Sequence, residues 1–300
     1  MSFSDYAKNF GGVYSLMLTP FKEDRSIDYD IYPEYVRWQE EQGAHYLFAV
    51  CGSSEMKNLT LEEREKLAAL TVKHRKKVKV FATANLEPSW HGQLEEIKRI
   101  EAAGVDGLVF VTKGYGNDEE RLVTYLLELQ SHATVPVILY EFPGFSNHLI
   151  SGSAYKRLVE NGNFHAIKDT TCTMQGIKEK IAVQGDSCVL QANIPYLLEA
   201  YEAGARGVAA TPTTCGTNLF IRMWDSFAAG DMEEARRMHE EIVNLDNALG
   251  GAFPATAKYL VNLQGIPMNW YTRGDHVLKD HKLKALRVYH DYAVRNNLMK

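Results

Sequence analysis

Residues 94–111, Leu-Glu-Glu-Ile-Lys-Arg-Ile-Glu-Ala-Ala-Gly-Val-Asp-Gly-Leu-Val-Phe-Val, hold one full cycle of the pattern that decides the fold. Leu94, Ile97, Ile100 and Ala103 recur every three residues and form the apolar stripe of a helix. Gly104 follows that stripe, where a helix commonly ends in a left-handed residue. The segment Gly107–Val111 is then almost wholly apolar with no polar alternation, as a strand covered on both faces should be. The same cycle is found on either side. Strands are predicted at Val13–Leu18, Tyr46–Cys51, Val78–Ala82, Gly107–Val111, Pro136–Tyr140, His165–Lys168, Ser187–Gln191 and Gly207–Ala210, eight in all. Helical stretches lie between them, such as the one carrying Leu61, Leu67, Ala68 and Leu70. Thr60-Leu61-Glu62-Glu63 and Ser89 read as helix starts; Gly43 and Gly204, like Gly104, read as helix ends. Parallel strands joined by right-handed helical crossovers follow from this order. Eight units favour closure, and neither a GxGxxG after the first strand nor a GxxxxGK supports an open nucleotide-binding sheet. The expected fold class is α/β, a (β/α)₈ TIM barrel.

The chain has 300 residues, 45% of them hydrophobic, room for such a barrel (about 250 residues) and a remainder. Helices predicted at Leu219–Ala229, Asp231–Asn247, Ala255–Leu263 and Leu278–Arg295 supply that remainder. The division expected is a barrel over 1–225 and a C-terminal helical extension over 226–300. Lys plus Arg number 33 against 38 Asp plus Glu, with no basic tract, which argues against nucleic acid as a partner. Apolar runs are strand-sized, short of the ~20 residues of a membrane span, and the polar segment Met1–Asn9 has no signal-like core. A cytoplasmic protein is expected. Cys51, Cys172, Cys188 and Cys215 are widely spaced and read as small buried hydrophobes; the ten histidines form no HExxH or HxH pair. No metal and no organic cofactor is expected.

Active sites of such barrels lie at the carboxyl ends of the strands. The candidates there are Thr19, the run Gly52-Ser53-Ser54-Glu55, Asn85, Thr112, Lys113, Tyr115, Tyr140, Glu141, Lys168, Asn193 and Thr211. Lys168 is the most informative, because it ends the apolar strand Phe164-His165-Ala166-Ile167-Lys168. An ordinary lysine amine is free in only about one molecule in 2,500 at neutral pH, and desolvation in a barrel mouth raises that fraction. This is how Schiff-base lysines are activated. Asp169 should point to the opposite face and leave Lys168 unpaired. Tyr140 ends the neighbouring strand, about 4.8 Å away, where a phenol can carry protons for the same ligand. The alternatives at this point are a structural ion pair at Lys168 and a barrel-filling tyrosine at 140.

Four segments, in order, resemble the dihydrodipicolinate synthase / N-acetylneuraminate lyase family. They are Leu18-Thr19-Pro20-Phe21, Cys51-Gly52-Ser53-Ser54-Glu55 with Leu59 to Arg64, Tyr140-Glu141-Phe142-Pro143, and Ile167-Lys168-Asp169, the lysine 28 residues after the tyrosine. Pro254 to Pro267 also resembles the family. The resemblance implies a class I, pyruvate-type aldolase with Lys168 as the Schiff-base lysine and Tyr140 as proton shuttle. It gives Gly52 and Ser53 the keto-acid carboxylate, and Tyr115 a relay role across a dimer interface, hence a homo-oligomer that is a dimer of dimers. Ser54, Glu141, Asn193 and Thr211 complete the expected substrate-binding set. The chain also departs from the pattern. Gly52 replaces a relay hydroxyl, Ser54 replaces a loop glycine, at a cost if the position takes positive φ, Ala192 replaces a glycine, and Phe145 stands where the synthase branch keeps an arginine. The reading is a lyase, aldolase or dehydratase, acting on a 2-keto acid with a neutral distal end, either a hydroxylated sugar-acid tail or an aromatic group, with a sugar-derived 2-keto-3-deoxy acid preferred. The alternatives are a non-catalytic keto-acid-binding sensor or scaffold, and a barrel enzyme of unrelated, metal-assisted chemistry.

Overall fold

A computed structural model describes residues 2–115, 117–274 and 277–299. Eight strands form a closed parallel barrel in sequential order. They are β1 Gly12–Leu16, β2 Tyr46–Val50, β3 Lys79–Thr83, β4 Gly107–Val111, β5 Val137–Tyr140, β6 Phe164–Asp169, β7 Cys188–Gln191 and β8 Gly207–Val208. The crossover helices are α1 Tyr32–Glu41, α2 Leu61–His74, α3 Trp90–Ala102, α4 Glu119–Gln130, α5 Gly152–Asn161, α6 Met174–Ile181 and α7 Leu197–Ala203. The chain then continues through α8 Thr213–Ala229, α9 Met232–Leu249, α10 Ala255–Leu263 and α11 Asp280–Arg295.

Local chemistry sets the boundaries. Thr60 and Glu63 close a reciprocal capping box at the start of α2, and the Ser89 hydroxyl accepts from Gly92 N at the start of α3. Gly104 adopts φ +86° after α3, a conformation that costs an L side chain energy. A Cβ at Gly107 would lie 2.2 Å from the Phe81 ring, so glycine there leaves room for that ring. The lower barrel is filled by Tyr14 stacked on Tyr46 at 4.4 Å, with Phe81 edge-on to both.

Two expectations are corrected. The eighth strand is shorter than Gly207–Ala210, because the Thr213 hydroxyl accepts from Leu16 N and so takes a place in the β1 ladder. α8 begins at Thr213, earlier than Leu219, and bends at Gly216 (φ −148°, ψ 35°); its threonine-rich first turn carries no apolar period to read. Residue 225, the expected end of the barrel segment, lies within α8, which packs on β1 and on α9. Among the described residues no helix is long and apolar enough to cross a membrane.

Candidate active site

β5 and β6 are in register with Tyr140 opposite Lys168, so both side chains enter the barrel at the same level. They form the floor of a cavity of about 550 Å³ at the carboxyl ends of the strands, walled by Gly52, Ser53, Asn193, Thr211 and residues of the 142–149 segment. Lys168 is 3% exposed. Among the described residues its Nζ has neither a carboxylate nor a hydrogen-bond partner, and it lies 4.4 Å from the centroid of the Tyr140 ring. Burial pulls the amine down from 10.5 to about 8. The same burial holds the Tyr140 phenol well above its ordinary value, so it stays protonated.

Two other buried lysines show what a structural ammonium looks like here. Lys258 Nζ lies 2.7 Å from Glu55 Oε1 and donates to Tyr271 O. Lys180 Nζ lies 2.6 Å from Glu141 Oε1 and 3.0 Å from Asp169 Oδ1. Asp169 thus turns away from Lys168, as strand alternation requires.

The loop after β2 is a short 3₁₀ turn over Gly52–Ser54. Its turn bonds come from Ser54, Glu55 and Met56 N–H groups, not from those of Gly52 and Ser53. The Ser53 hydroxyl is buried, borders the cavity, and has no partner among the described residues. An orphaned hydroxyl at that depth costs free energy unless a ligand satisfies it. Glu55 anchors the loop from behind, taking Lys258 on one oxygen and Arg273 N on the other.

Two sequence-based assignments change, those of Ser54 and Glu141. Ser54 is fully buried, its hydroxyl bonded to Cys51 N and Cys51 O; the loop's positive φ (59°) belongs to Glu55, so Ser54 carries no such strain and does not border the cavity. Glu141 points outward, opposite to Tyr140, and is fully buried between β6 and α6, accepting from Ile150 N and Thr170 N; it does not face the ligand space. Tyr115 borders a separate surface depression with Trp90 and Tyr125, its ring 5.1 Å from Tyr125, and is not part of the cavity in its own chain. Asn193 does border the cavity, with Nδ2 donating to Thr170 O and Thr171 O. Thr19, Asn85 and Thr112 are structural: Thr19 donates to Ser54 O in the turn after β2, and Asn85 and Thr112 donate to Val111 O and Tyr140 O at neighbouring strand ends.

Sequence reasoning missed part of the wall. His148, Leu149 and Thr170 come from irregular segments with no periodicity, Cys172 is the exposed exception among the four cysteines, and Phe253 arrives from the far extension. Phe142 explains the missing hydroxyl at 52. A Cβ on Gly52 would lie 2.7 Å from Phe142 Cε2 and 3.0 Å from the Tyr140 hydroxyl, so the phenylalanine ring fills that space. Phe145 packs against Phe142, and two lysine side chains approach its ring, Lys57 Nζ at 4.9 Å and Lys113 Nζ at 5.5 Å from the centroid. Among the described residues no group of three His, Cys, Asp or Glu side chains could hold a metal ion.

A parallel barrel with a desolvated amine and a phenol on its cavity floor, taken with its relatives, defines a lyase of the class I aldolase type. The chain belongs to the dihydrodipicolinate synthetase family, whose model matches residues 9–284. It is 26% identical over 294 residues to a 4-hydroxy-tetrahydrodipicolinate synthase of Psychrobacter sp. (strain PRwf-1), covering 94% of this chain and 97% of the relative. It is 24% identical over 273 residues to an uncharacterised DapA-like lyase of Pyrococcus horikoshii, covering 89% and 94%. A similar solved structure is a prophage protein of the dihydrodipicolinic acid synthase family from E. coli K12, in complex with pyruvate. It has a TM-score of 0.87 at 20% identity, over 96% of this chain and 99% of that one.

Proposed function

We propose that this lyase acts on a sugar-derived 2-keto-3-deoxy acid through an iminium at Lys168. The observation that carries the reading is an amine buried, among the described residues, without an anionic partner beside a protonated phenol, against two other buried lysines that are each ion-paired. The neutral amine adds to the C2 carbonyl, the carbinolamine loses water as its C–O bond breaks, and the iminium then accepts an electron pair. That pair comes from the C3–C4 bond in aldol cleavage, or from a C3–H bond when a C4 hydroxyl leaves. Tyr140 gives its proton to the departing carbinolamine hydroxyl; the phenolate then takes the C4 hydroxyl proton in cleavage, or takes the C3 proton in dehydration and hands it to the leaving C4 hydroxyl. In cleavage the enamine is then protonated at C3, and in either case water hydrolyses the iminium and frees Lys168. Gly52 and Ser53 take the carboxylate, for which the Ser53 hydroxyl has no partner among the described residues. Asn193, Thr211 and His148 offer polar groups to a hydroxylated tail, and the Phe142 and Phe253 rings border its carbon face. The chemistry needs no metal, since the amine itself becomes the electron sink.

Tyr115 lies outside its own chain's cavity, so its relay role requires a second copy. The proposed assembly is a dimer of dimers, and the proposed location is the cytoplasm, in keeping with four free cysteines. A second reading, a keto-acid-binding protein without turnover, draws on one observation. Among the described residues the Tyr140 hydroxyl has no hydrogen-bond partner, and Gly52 offers it none.

Borohydride reduction with pyruvate or a 2-keto-3-deoxy aldonate, read by intact mass and peptide mapping, tests the assignment. One reduced adduct is expected on the Lys168 peptide, half-maximal in rate near pH 8, and none on Lys168→Arg, whose guanidinium stays charged. An adduct that persists in the variant refutes the assignment. Adduct formation without turnover on any keto acid supports the second reading.

A further inference from the structure

Each of the two reactive residues is followed in the chain by a carboxylate that turns to the outside of the barrel. Glu141 follows Tyr140 and Asp169 follows Lys168, and both carboxylates are fully buried. A single ammonium, Lys180 of α6, binds both, and its third bond goes to the Thr171 hydroxyl at 2.7 Å. Although burial opposes its charge, the Glu141 and Asp169 carboxylates raise Lys180 above its ordinary value. Glu141 extends the network into the cavity wall. One oxygen also accepts from Ile150 N at 2.9 Å and the other from Thr170 N at 3.0 Å. Those bonds fix both ends of what borders the cavity on this side: the 142–149 segment, with Phe142, His148 and Leu149, and the turn after β6, with Thr170. Asp169 holds that turn from within, accepting from Thr171 N at 2.8 Å and from Gln191 Nε2 at 3.3 Å.

We infer that Lys180 is a positioning residue, a clamp that holds the Tyr140 and Lys168 strand ends in register and seats the 142–149 wall through Glu141. The inference rests on the reading of Lys168 and Tyr140 as the reacting pair. The clamp lies on the face of the sheet opposite the cavity, touches no ligand space, and uses residues that the resemblance did not assign to it. A buried ammonium satisfied by two carboxylates has one geometry available, so the strand ends cannot slide without leaving a charge unpaired. Orientation at this precision matters to the chemistry, because a displacement of about 1 Å between reacting groups costs on the order of 10²-fold in rate.

The test uses the full chain and three variants, assayed for turnover of the substrate found by trapping and for the rate of borohydride-trapped adduct formation with pyruvate. Lys180→Met leaves two buried carboxylates facing each other. It is expected to lower kcat and the trapping rate by about 10-fold or more. Adding Glu141→Gln to Lys180→Met removes one of those charges but restores no bridge and leaves Asp169 unpaired, so kcat is expected to stay within about 3-fold of the Lys180→Met value; a return to wild-type kcat would show that repulsion between the two carboxylates, not loss of the bridge, lowered it. Glu141→Gln alone keeps the Lys180–Asp169 pair but turns one acceptor into a donor against Ile150 N or Thr170 N. The expected result is a KM raised by about 5-fold with kcat changed less than about 2-fold, together with faster amide exchange at Ile150 and Thr170. A double variant that regains wild-type kcat, or a Glu141→Gln protein with unchanged KM and unchanged exchange, overturns the clamp. If wild-type protein traps no keto acid, the reading of Lys168 fails instead, and amide exchange at Ile150 and Thr170 alone decides the clamp.

Discussion

Lys168→Met makes a prediction that turns the proposed chemistry into a stability measurement. A lysine whose folded pKa lies below its unfolded value penalises the folded state wherever the unfolded chain holds the extra proton. Here the amine titrates near 8 when folded, against an ordinary 10.5. At about 1.4 kcal/mol per pH unit, the penalty at pH 7 is about 3 kcal/mol. Between pH 8 and 10.5 the folded amine is already neutral while the unfolded one still binds a proton, so stability rises with pH across that window and the penalty is gone above it. Methionine has a similar length and no charge, so it removes the penalty. It also removes the attraction between the ammonium and the Tyr140 ring, which offsets on the order of 1 kcal/mol. Burial dominates, and the net expectation is a gain of about 2 kcal/mol at pH 7, roughly 3 °C in Tm for a chain of 300 residues. Thermal and urea midpoints of wild type and Lys168→Met, compared at pH 7 and at pH 10, measure it. The gain should be large at pH 7 and mostly lost at pH 10. A variant less stable than wild type at pH 7, or one with the same gain at both pH values, would refute the argument that burial activates this amine.

Tyr140→Phe keeps the ring and deletes the proton carrier; turnover should fall by about 10²-fold or more while borohydride still traps ligand, and equal turnover would contradict its role. Synthase turnover with aspartate semialdehyde and pyruvate should be weak beside cleavage of a 2-keto-3-deoxy aldonate, because Phe145 offers no guanidinium, a contact typically worth about 1.5–3 kcal/mol. Robust synthase activity would instead point to Lys57 or Lys113, the two lysines that approach the Phe145 ring, as the carboxylate's partner. Gly52→Ser should destabilise by about 1–3 kcal/mol, since its Cβ would lie 2.7 Å from the Phe142 ring, and Phe142→Leu in the same chain should relieve most of that loss. If Gly52→Ser melts like wild type, Phe142 is not the occupant of that space.

The parts of the molecule legible in the sequence are those governed by local periodicity. Strand β4, helix α3 and the turn at Gly104 are each dictated by residues within one cycle, and eight such cycles leave few topologies open. Lys168 and Tyr140 could be singled out because each ends an apolar strand, and strand alternation alone sends Asp169 away from Lys168. What the sequence could not decide depends on groups far apart in the chain competing for the same space or charge. Glu141 reads as a pocket residue until Lys180, on α6, claims it, because a buried carboxylate needs a cation more than it needs solvent. Ser54 reads as a strained loop residue until its hydroxyl is found bonded to Cys51 and the positive φ falls on Glu55, held by Lys258 from α10. Gly52 reads as a lost hydroxyl until the Phe142 ring is seen in its place. Periodicity reports which face of an element is buried; which partner waits there is set by tertiary packing, where one cation, one ring or one hydroxyl satisfies whichever group reaches it.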